Sequence, residues 1–127
     1  KSPVLVEDTS LIFNALGNLP GPLIKWFLEE LENEGLCQLL NSYSSRSALA
    51  KVCFCFYDGK NLKTFEGEMK GAIAESPKGE QGFGWDPIFI PEGEEKTWGE
   101  MSIQEQKETS MRRIALKKLE GYLKQGL

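Results

Sequence analysis

The 127-residue sequence contains no histidine. This absence excludes Ser-His and Cys-His nucleophile pairs, and it excludes every metal site that depends on imidazole ligands. Any catalysis must therefore use carboxylates, lysines, hydroxyl groups, backbone amides or a hard cation held by oxygen ligands. The sequence also has no G-x-x-x-x-G-K-[ST] loop and no G-x-G-x-x-G motif, so neither common nucleotide-binding fold is indicated.

Long apolar runs and a surplus of positive charge are missing too. No stretch approaches the roughly 20 apolar residues of a membrane span, so no membrane association is expected. The net charge of −4 predicts no nucleic-acid partner. The odd number of cysteines (Cys37, Cys53 and Cys55) indicates reduced core thiols and a cytoplasmic location. A C-x-C zinc site would lack two further ligands.

The composition, 40% hydrophobic and 27% charged, is that of one globular domain, predicted over residues 1–127. The patterns predict an α/β fold with a mixed, largely antiparallel sheet flanked by helices. A short strand over 3–6 is expected to stop at Glu7-Asp8-Thr9. Residues 48–57 alternate as a strand, and 62–74 are expected to return beside it as an antiparallel strand. Gly67 and Gly71 indicate bulges or close backbone approach there.

Four further elements are predicted. A helix is expected to begin near Pro22 and to end at Gly35, followed by a shorter one through Leu40. Residues 88–90 are expected to form a short strand. Ser102 and Glu105 fit a capping box that begins a last helix. The predicted core-facing residues of the helices are Leu23, Trp26, Phe27, Leu31, Ala115, Leu116, Leu119, Tyr122 and Leu123.

The acidic pair Glu7-Asp8 is the first candidate for chemistry. A carboxylate at the end of a strand is well placed to hold Mg²⁺ or to take a proton from water. Asp8 is the stronger catalytic candidate, with Glu7 as a second metal ligand. The alternative is a solvated turn, or a cap on the following segment.

The segment Gly82-Phe83-Gly84-Trp85-Asp86-Pro87 is the second candidate. An aromatic ring on a flexible backbone can stack on a purine base, and Asp86 can accept hydrogen bonds from ring N–H groups. The alternative is that Trp85 belongs to the core and that Asp86-Pro87 forms a simple turn. Both interpretations stay open at this point.

The stretch Ser110-Met111-Arg112-Arg113 is the third candidate. Either arginine can meet a phosphate group or a base carbonyl. The alternative is a solvated basic face of the last helix.

Three stretches occur in an order that resembles the inosine triphosphate pyrophosphatase family. They are "VLVEDTSLIFNALGNLPGPLIKWFLEEL", "GFGWDPIF" and "SMRRIALKKL". The resemblance covers essentially the whole chain. It implies hydrolysis of non-standard purine nucleoside triphosphates (ITP, dITP or XTP) to the monophosphate and pyrophosphate. It also implies a two-lobed architecture, a Mg²⁺ cofactor with Mn²⁺ as a substitute, and a homodimer.

The resemblance also implies residue roles. Asp8 matches a metal-linked carboxylate that activates the attacking water, and Lys25 matches a substrate-contacting lysine of the eukaryotic branch. The other positions implied to bind substrate are Thr9, Phe83, Gly84, Trp85, Asp86, Ser110 and Arg112.

Two departures from the family pattern modify these expectations. The opening third, with its Thr-Gly-Asn-x-x-Lys phosphate loop and a second metal-binding glutamate, is not in this sequence. The fold is therefore expected to be truncated at the N-terminus, with self-association or a complementing N-terminal segment. Met111 and Gln106 replace a histidine and a lysine of the family. The alternative function is a homologue without catalysis, acting as a nucleotide-binding or interaction protein.

Overall fold

The computed structural model describes residues 3–126. The predicted domain, 1–127, includes Lys1, Ser2 and Leu127, which lie outside the described residues. Five β-strands and three α-helices follow along the described residues: β1 (Val4–Phe13), β2 (Pro20–Gly21), α1 (Ile24–Gln38), β3 (Ser47–Tyr57), β4 (Leu62–Ile73), β5 (Phe89–Pro91), α2 (Ile103–Glu108) and α3 (Met111–Gly126). No helix in this described part is long and apolar enough to span a bilayer.

The strands form one five-stranded sheet in the order β2-β1-β3-β4-β5, and all four pairings are antiparallel. The predicted fold class, an α/β structure with a largely antiparallel sheet, is confirmed. The strand at 48–57 and the returning strand at 62–74 are also confirmed, because alternation and a tight turn are local signals. The short strand predicted at 88–90 lies one residue further along the chain.

The first strand is much longer than predicted. It continues through Glu7, Asp8 and Thr9 to Phe13, and it pairs with β3 in ten consecutive positions. The prediction that the acidic pair ends a strand is therefore wrong. The physical reason is that pairing with β3 satisfies the backbone hydrogen bonds of these polar residues, so the strand continues through them. In the sequence alone, the three polar residues resembled the end of a strand. Only Leu11 and Ile12 of β1 pair with β2, so residues 4–10 form an edge of the described sheet.

One face of the sheet carries the core. Residues that alternate along β1 and β3, among them Leu11, Phe13, Ala50 and Val52, are buried there. Helix α3 packs on β3 and β4 over this face. Gly67 permits the contact, because a Cβ at this position would overlap the Met111 carbonyl. The predicted close backbone approach is confirmed at Gly67, and β3 and β4 stay in uninterrupted register without a bulge.

Several predicted core positions are wrong. Trp26 is 58% exposed, and Leu23, Leu31 and Leu116 are exposed as well. Cys53 and Cys55 are only half-buried, because they lie on the face of β3 opposite the core residues Val52 and Phe54. Helical spacing defines a face, and the tertiary contacts decide how much of that face is covered.

The helix boundaries also differ from the prediction. The break in α1 lies at Glu32, whose φ of 59° and ψ of 175° are not helical, and Gly35 continues the helix. The capping box at Ser102 is confirmed, but it begins the short helix α2, and α3 follows after Thr109-Ser110. The predicted single last helix is therefore two helices.

Candidate functional site

A pocket of about 260 Å³ opens between β1, the 82–86 loop and the start of α3. This volume is just below the range of about 300–1,000 Å³ that is typical of small-molecule sites. Seven of the residues predicted from the sequence line it together, although they come from three separate stretches of the chain. The lining residues are Thr9, Phe83, Gly84, Trp85, Asp86, Trp98, Gln106, Ser110, Met111 and Arg112.

The loop at one side of the pocket is held by a tight reciprocal turn. The Phe83 N–H donates to Asp86 Oδ2 at 2.8 Å, and the Asp86 N–H donates to the Phe83 carbonyl at 3.0 Å. Gly82 and Gly84 have φ values of 79° and 55°, a region that side chains with a Cβ rarely adopt. A Cβ at Gly82 would also collide with the Asp86 carboxylate. The glycines are thus required for the turn that presents Phe83 and Asp86.

Phe83 and Trp85 have opposite environments. The Phe83 side chain is 89% exposed, so the ring offers a free face at the mouth of the pocket. Trp85 is 9% exposed and packs against Phe89 and Trp98, with ring centroids 5.9 and 5.8 Å away. The core interpretation of Trp85 is therefore correct, and Trp85 also lines the pocket. Gln106 supports this cluster by donating from Nε2 to the Trp98 carbonyl at 2.7 Å.

The opposite wall is the first turn of α3. Ser110 Oγ accepts the Arg112 N–H at 3.1 Å and thereby satisfies a free donor at the helix start. Met111 is buried at 4% exposure. Arg112 points to β1, where both its Nε and its Nη2 contact Glu7 Oε2. The two stretches that sequence analysis singled out separately are thus joined by an ion pair.

Asp86 is electrostatically distinct within the site. Burial raises the pKa of its carboxyl group, while the hydrogen bond from Phe83 and the charge of Arg112 oppose that shift. A carboxylate in this setting strongly favours partners that donate hydrogen bonds, because it has lost part of its hydration.

Asp8 is not in the pocket. It pairs with Cys53, whereas its neighbours Glu7 and Thr9 pair with the core residues Phe54 and Val52. Because successive side chains of a strand point to opposite faces, Asp8 lies on the other face of the sheet from Thr9. Its negative charge helps to raise the pKa of the Cys53 thiol, after the larger effects of burial, Cys55 and Glu66.

Lys25 also lies outside the pocket lining. It is exposed near the start of α1, with Nζ 5.4 Å from the centroid of the Trp26 ring. The predicted substrate contact of this lysine remains a prediction. No three or more Cys, Asp or Glu side chains within residues 3–126 converge as a metal site. Glu7 is paired with Arg112, so the prediction of Glu7 as a metal ligand finds no support in its position.

Two residues of the site escaped the sequence analysis. Trp98 lines the pocket from a short 3-10 turn that Thr97 and Glu100 cap reciprocally, and this Thr-x-x-Glu pattern was a local signal for that turn. Asn33 follows the break in α1 and donates from Nδ2 to the Gly84 carbonyl at 2.9 Å. No local signal links Asn33 to a loop 51 positions away.

The family to which the chain belongs follows from its similarity to known proteins. The model of the Ham1 family matches residues 1–122. The chain belongs to the Ham1 family. Membership confirms the family suggested by the three motifs. The chain is also 46% identical over 124 residues to inosine triphosphate pyrophosphatase 1 of Trypanosoma cruzi (strain CL Brener), a match that covers 96% of this chain and 63% of that protein. The chain thus spans less than two thirds of this relative's length.

Solved structures of Ham1 family proteins share the fold. A HAM1 protein from Coxiella burnetii superimposes with a TM-score of 0.88 at 27% identity, covering 98% of this chain and 68% of that one. The Ham1 protein of Staphylococcus aureus gives 0.83 at 27% identity, with coverage of 97% and 67%. A nucleoside-triphosphatase / dITP/XTP pyrophosphatase from Mycobacterium abscessus gives 0.76 at 28% identity, with coverage of 93% and 64%.

Proposed function

We propose that this chain carries the base-recognition part of a nucleoside-triphosphate pyrophosphatase. The enzyme would hydrolyse ITP, dITP or XTP to the nucleoside monophosphate and pyrophosphate. The observation that carries the proposal is the convergence of Thr9, Phe83, Asp86, Ser110 and Arg112 on one pocket. Family membership supports the same activity, since relatives at 46% and 28% identity bear names of this reaction.

The pocket has the groups needed to read a 6-oxopurine. Phe83 offers a stacking face, and stacking on an aromatic ring contributes about 1–3 kcal/mol per base. Asp86 accepts a hydrogen bond from a protonated ring nitrogen such as N1–H. Arg112 and the Ser110 hydroxyl can donate to a carbonyl oxygen. Adenine presents an unprotonated N1 to the Asp86 carboxylate, and two acceptors facing each other in a buried site disfavour binding.

Asp8 is the group that we propose for the chemical step. Its side chain lies across β1 from Thr9, and residues 4–10 of β1 pair on one side only within the described sheet. A nucleotide with its base near Thr9 would carry its phosphates around this edge toward Asp8. There the carboxylate can accept a proton from the attacking water.

Mg²⁺, with Mn²⁺ as a substitute, belongs to the proposal as cofactor. Asp8 fits the cation as a single exposed carboxylate, because Mg²⁺ commonly takes one or two carboxylates and completes its shell with water and substrate phosphates. When bound, such a cation neutralises phosphate charge. Glu7 does not fit, since Arg112 occupies its Oε2. A homodimer, contact of Lys25 with substrate and a cytoplasmic location complete the proposal.

A second candidate, nucleotide binding without catalysis by this chain, follows from one observation. The pocket and Asp8 lie on opposite faces of the sheet. The base-recognition pocket is therefore independent of the proposed catalytic carboxylate. We expect turnover by this chain to be weak compared with its binding.

The test separates binding from turnover. Pyrophosphate release is followed with Mg²⁺ and ITP, dITP, XTP or ATP, and IMP binding is measured by calorimetry. Release from the 6-oxopurine nucleotides that exceeds release from ATP, and that is lost in Asp8→Asn, supports the enzyme. IMP binding without release supports the second candidate. If neither binding nor release is detected, both candidates fail.

A further inference from the structure

The contact between Glu7 and Arg112 joins the first strand to the pocket wall. Arg112 uses Nε and Nη2 on the same carboxylate oxygen, Glu7 Oε2, across 105 positions of sequence. The direction of Glu7 follows from β1, because Glu7 and Thr9 point to the same face and Thr9 itself lines the pocket. The pair therefore stands beside the space in which a ligand would bind.

Arg112 has a second carboxylate within its electrostatic reach. Its charge opposes the rise in the pKa of Asp86, and the two residues line the same pocket. A guanidinium held by Asp86 would occupy the acceptor that the pocket offers to a ligand. Glu7 provides the competing anchor, and only two of the five guanidinium N–H donors are used in that contact.

The pair is poorly suited to a purely stabilising role. The side chains of Arg112 and Glu7 are 49% and 36% exposed, and exposed ion pairs contribute little to folding stability. A ligand that binds a preorganised arginine loses less conformational entropy than one that must fix a free arginine side chain, because the free side chain has many rotamers.

We propose that Glu7 is a positioning residue. It holds Arg112 against β1, so that the three remaining guanidinium donors face the bound purine nucleotide and the Asp86 carboxylate stays available to the base. This role rests on the proposed function, and it replaces the predicted metal-binding role of Glu7.

The experiment is a double-mutant cycle read by IMP binding. We expect Glu7→Gln to weaken IMP binding about tenfold, because a charge-assisted anchor is lost. Glu7→Asp, which keeps the charge, should recover part of the affinity. Glu68→Gln is the matched control. Glu68 forms an ion pair with Lys51 (Nζ–Oε2 distance 3.5 Å), and neither residue lines the pocket, so the IMP affinity of this variant should equal that of the parent protein. The free energy of unfolding in urea should be nearly the same for Glu7→Gln, Glu7→Asp and Glu68→Gln.

The second half of the cycle separates positioning from a general charge effect. In an Arg112→Lys background, Glu7→Gln should cause little further loss of affinity, because the two residues act as a unit. An equal loss in both backgrounds, or unchanged IMP binding by Glu7→Gln, would overturn the positioning role alone. If the parent protein does not bind IMP, the proposed function fails and the positioning role fails with it.

Discussion

The Phe83 N–H donates to Asp86 Oδ2 at 2.8 Å, so one turn fixes both the exposed ring and the carboxylate of the pocket. The Asp86 N–H returns the contact to the Phe83 carbonyl at 3.0 Å. Three residues apart, the two side chains present different chemistry: one offers an aromatic face and the other offers an acceptor. Recognition of a base can thus be tested at each of them separately.

Phe83→Ala should weaken nucleotide binding without loss of stability. The ring is 89% exposed, so its removal leaves no cavity in the core. Loss of one stacking partner corresponds to about 1–3 kcal/mol, or roughly a 5- to 150-fold weaker affinity for IMP. Calorimetry and urea unfolding are the measurements. Trp85→Ala is the matched comparison, because Trp85 is buried and should lose about 3–5 kcal/mol of stability. Equal destabilisation by both substitutions would contradict the assignment.

Asp86→Asn should weaken IMP binding about tenfold or more, because a charged acceptor for the base N–H is lost. In the parent protein, binding should decline as the pH falls through the raised pKa of Asp86, at a higher pH than an ordinary aspartate would require. The asparagine variant should lack this decline. IMP titrations between pH 4 and 7, values chosen around the ordinary aspartate pKa of about 3.9 and its upward shift, provide the measurement. A parallel decline in both proteins would exclude Asp86 as its origin.

The same substitution should leave the protein at least as stable near neutral pH. A carboxyl group whose pKa is raised by folding contributes stability below its unfolded pKa, and this contribution is lost as the pH rises through the folded pKa. The neutral amide avoids that loss while its oxygen can still accept the Phe83 N–H. Urea unfolding of both proteins at several pH values is the check. A stability advantage of the parent that grows with pH would contradict the sign.

Gly67→Ala should destabilise the fold by about 1–3 kcal/mol, because overpacking displaces the backbone. A Cβ at Gly67 would overlap the Met111 carbonyl, at the helix start that carries Arg112. IMP affinity should therefore fall together with stability. Gly121→Ala is the control, since a Cβ there has no heavy atom within 4 Å and a helical alanine should add about 0.5–1 kcal/mol. Urea unfolding that shows no difference between the two variants would argue against close packing at Gly67.

Cys37 should make the fold sensitive to alkaline pH. Burial raises the pKa of its thiol from 9.0 to about 11, with Arg46 opposing the shift. The contribution of the Cys37 thiol to the free energy of unfolding should therefore be fully present below about pH 9. It should be lost as the pH rises through 11, by an amount on the order of 2–3 kcal/mol. Alanine cannot ionise, so the amount by which the parent protein is more stable than Cys37→Ala should shrink between about pH 9 and 11. A constant difference in urea unfolding from pH 8 to 11 would contradict the prediction.

Local patterns in the sequence predicted the parts of the fold that depend on near neighbours. The alternation of Ala50, Val52 and Phe54 determined the inner face of β3, and the capping box at Ser102 determined the start of α2. The glycines around Phe83 indicated an irregular segment, and the structure shows that it forms a tight turn. These signals are readable because strand alternation, caps and turns involve residues only a few positions apart.

The site was predicted as a set of residue types, but its arrangement was not. Trp85 had two open interpretations, and only its packing against Phe89 and Trp98 assigned it to the core. Asn33 reached the pocket loop because α1 breaks at Glu32, which no helix signal marked.

The sequence by itself determined the family, the antiparallel sheet and most of the residues that line the pocket. Only the tertiary structure decided that the strand continues through residues 7–9, which places Asp8 and Thr9 on opposite faces, and that Glu7 holds Arg112. Whether these residues form a strand depends on the partner with which they pair, and β1 pairs with a strand that begins more than thirty positions later. The partner of a charged side chain depends likewise on the packing of α3 against the sheet, which brings together residues 105 positions apart.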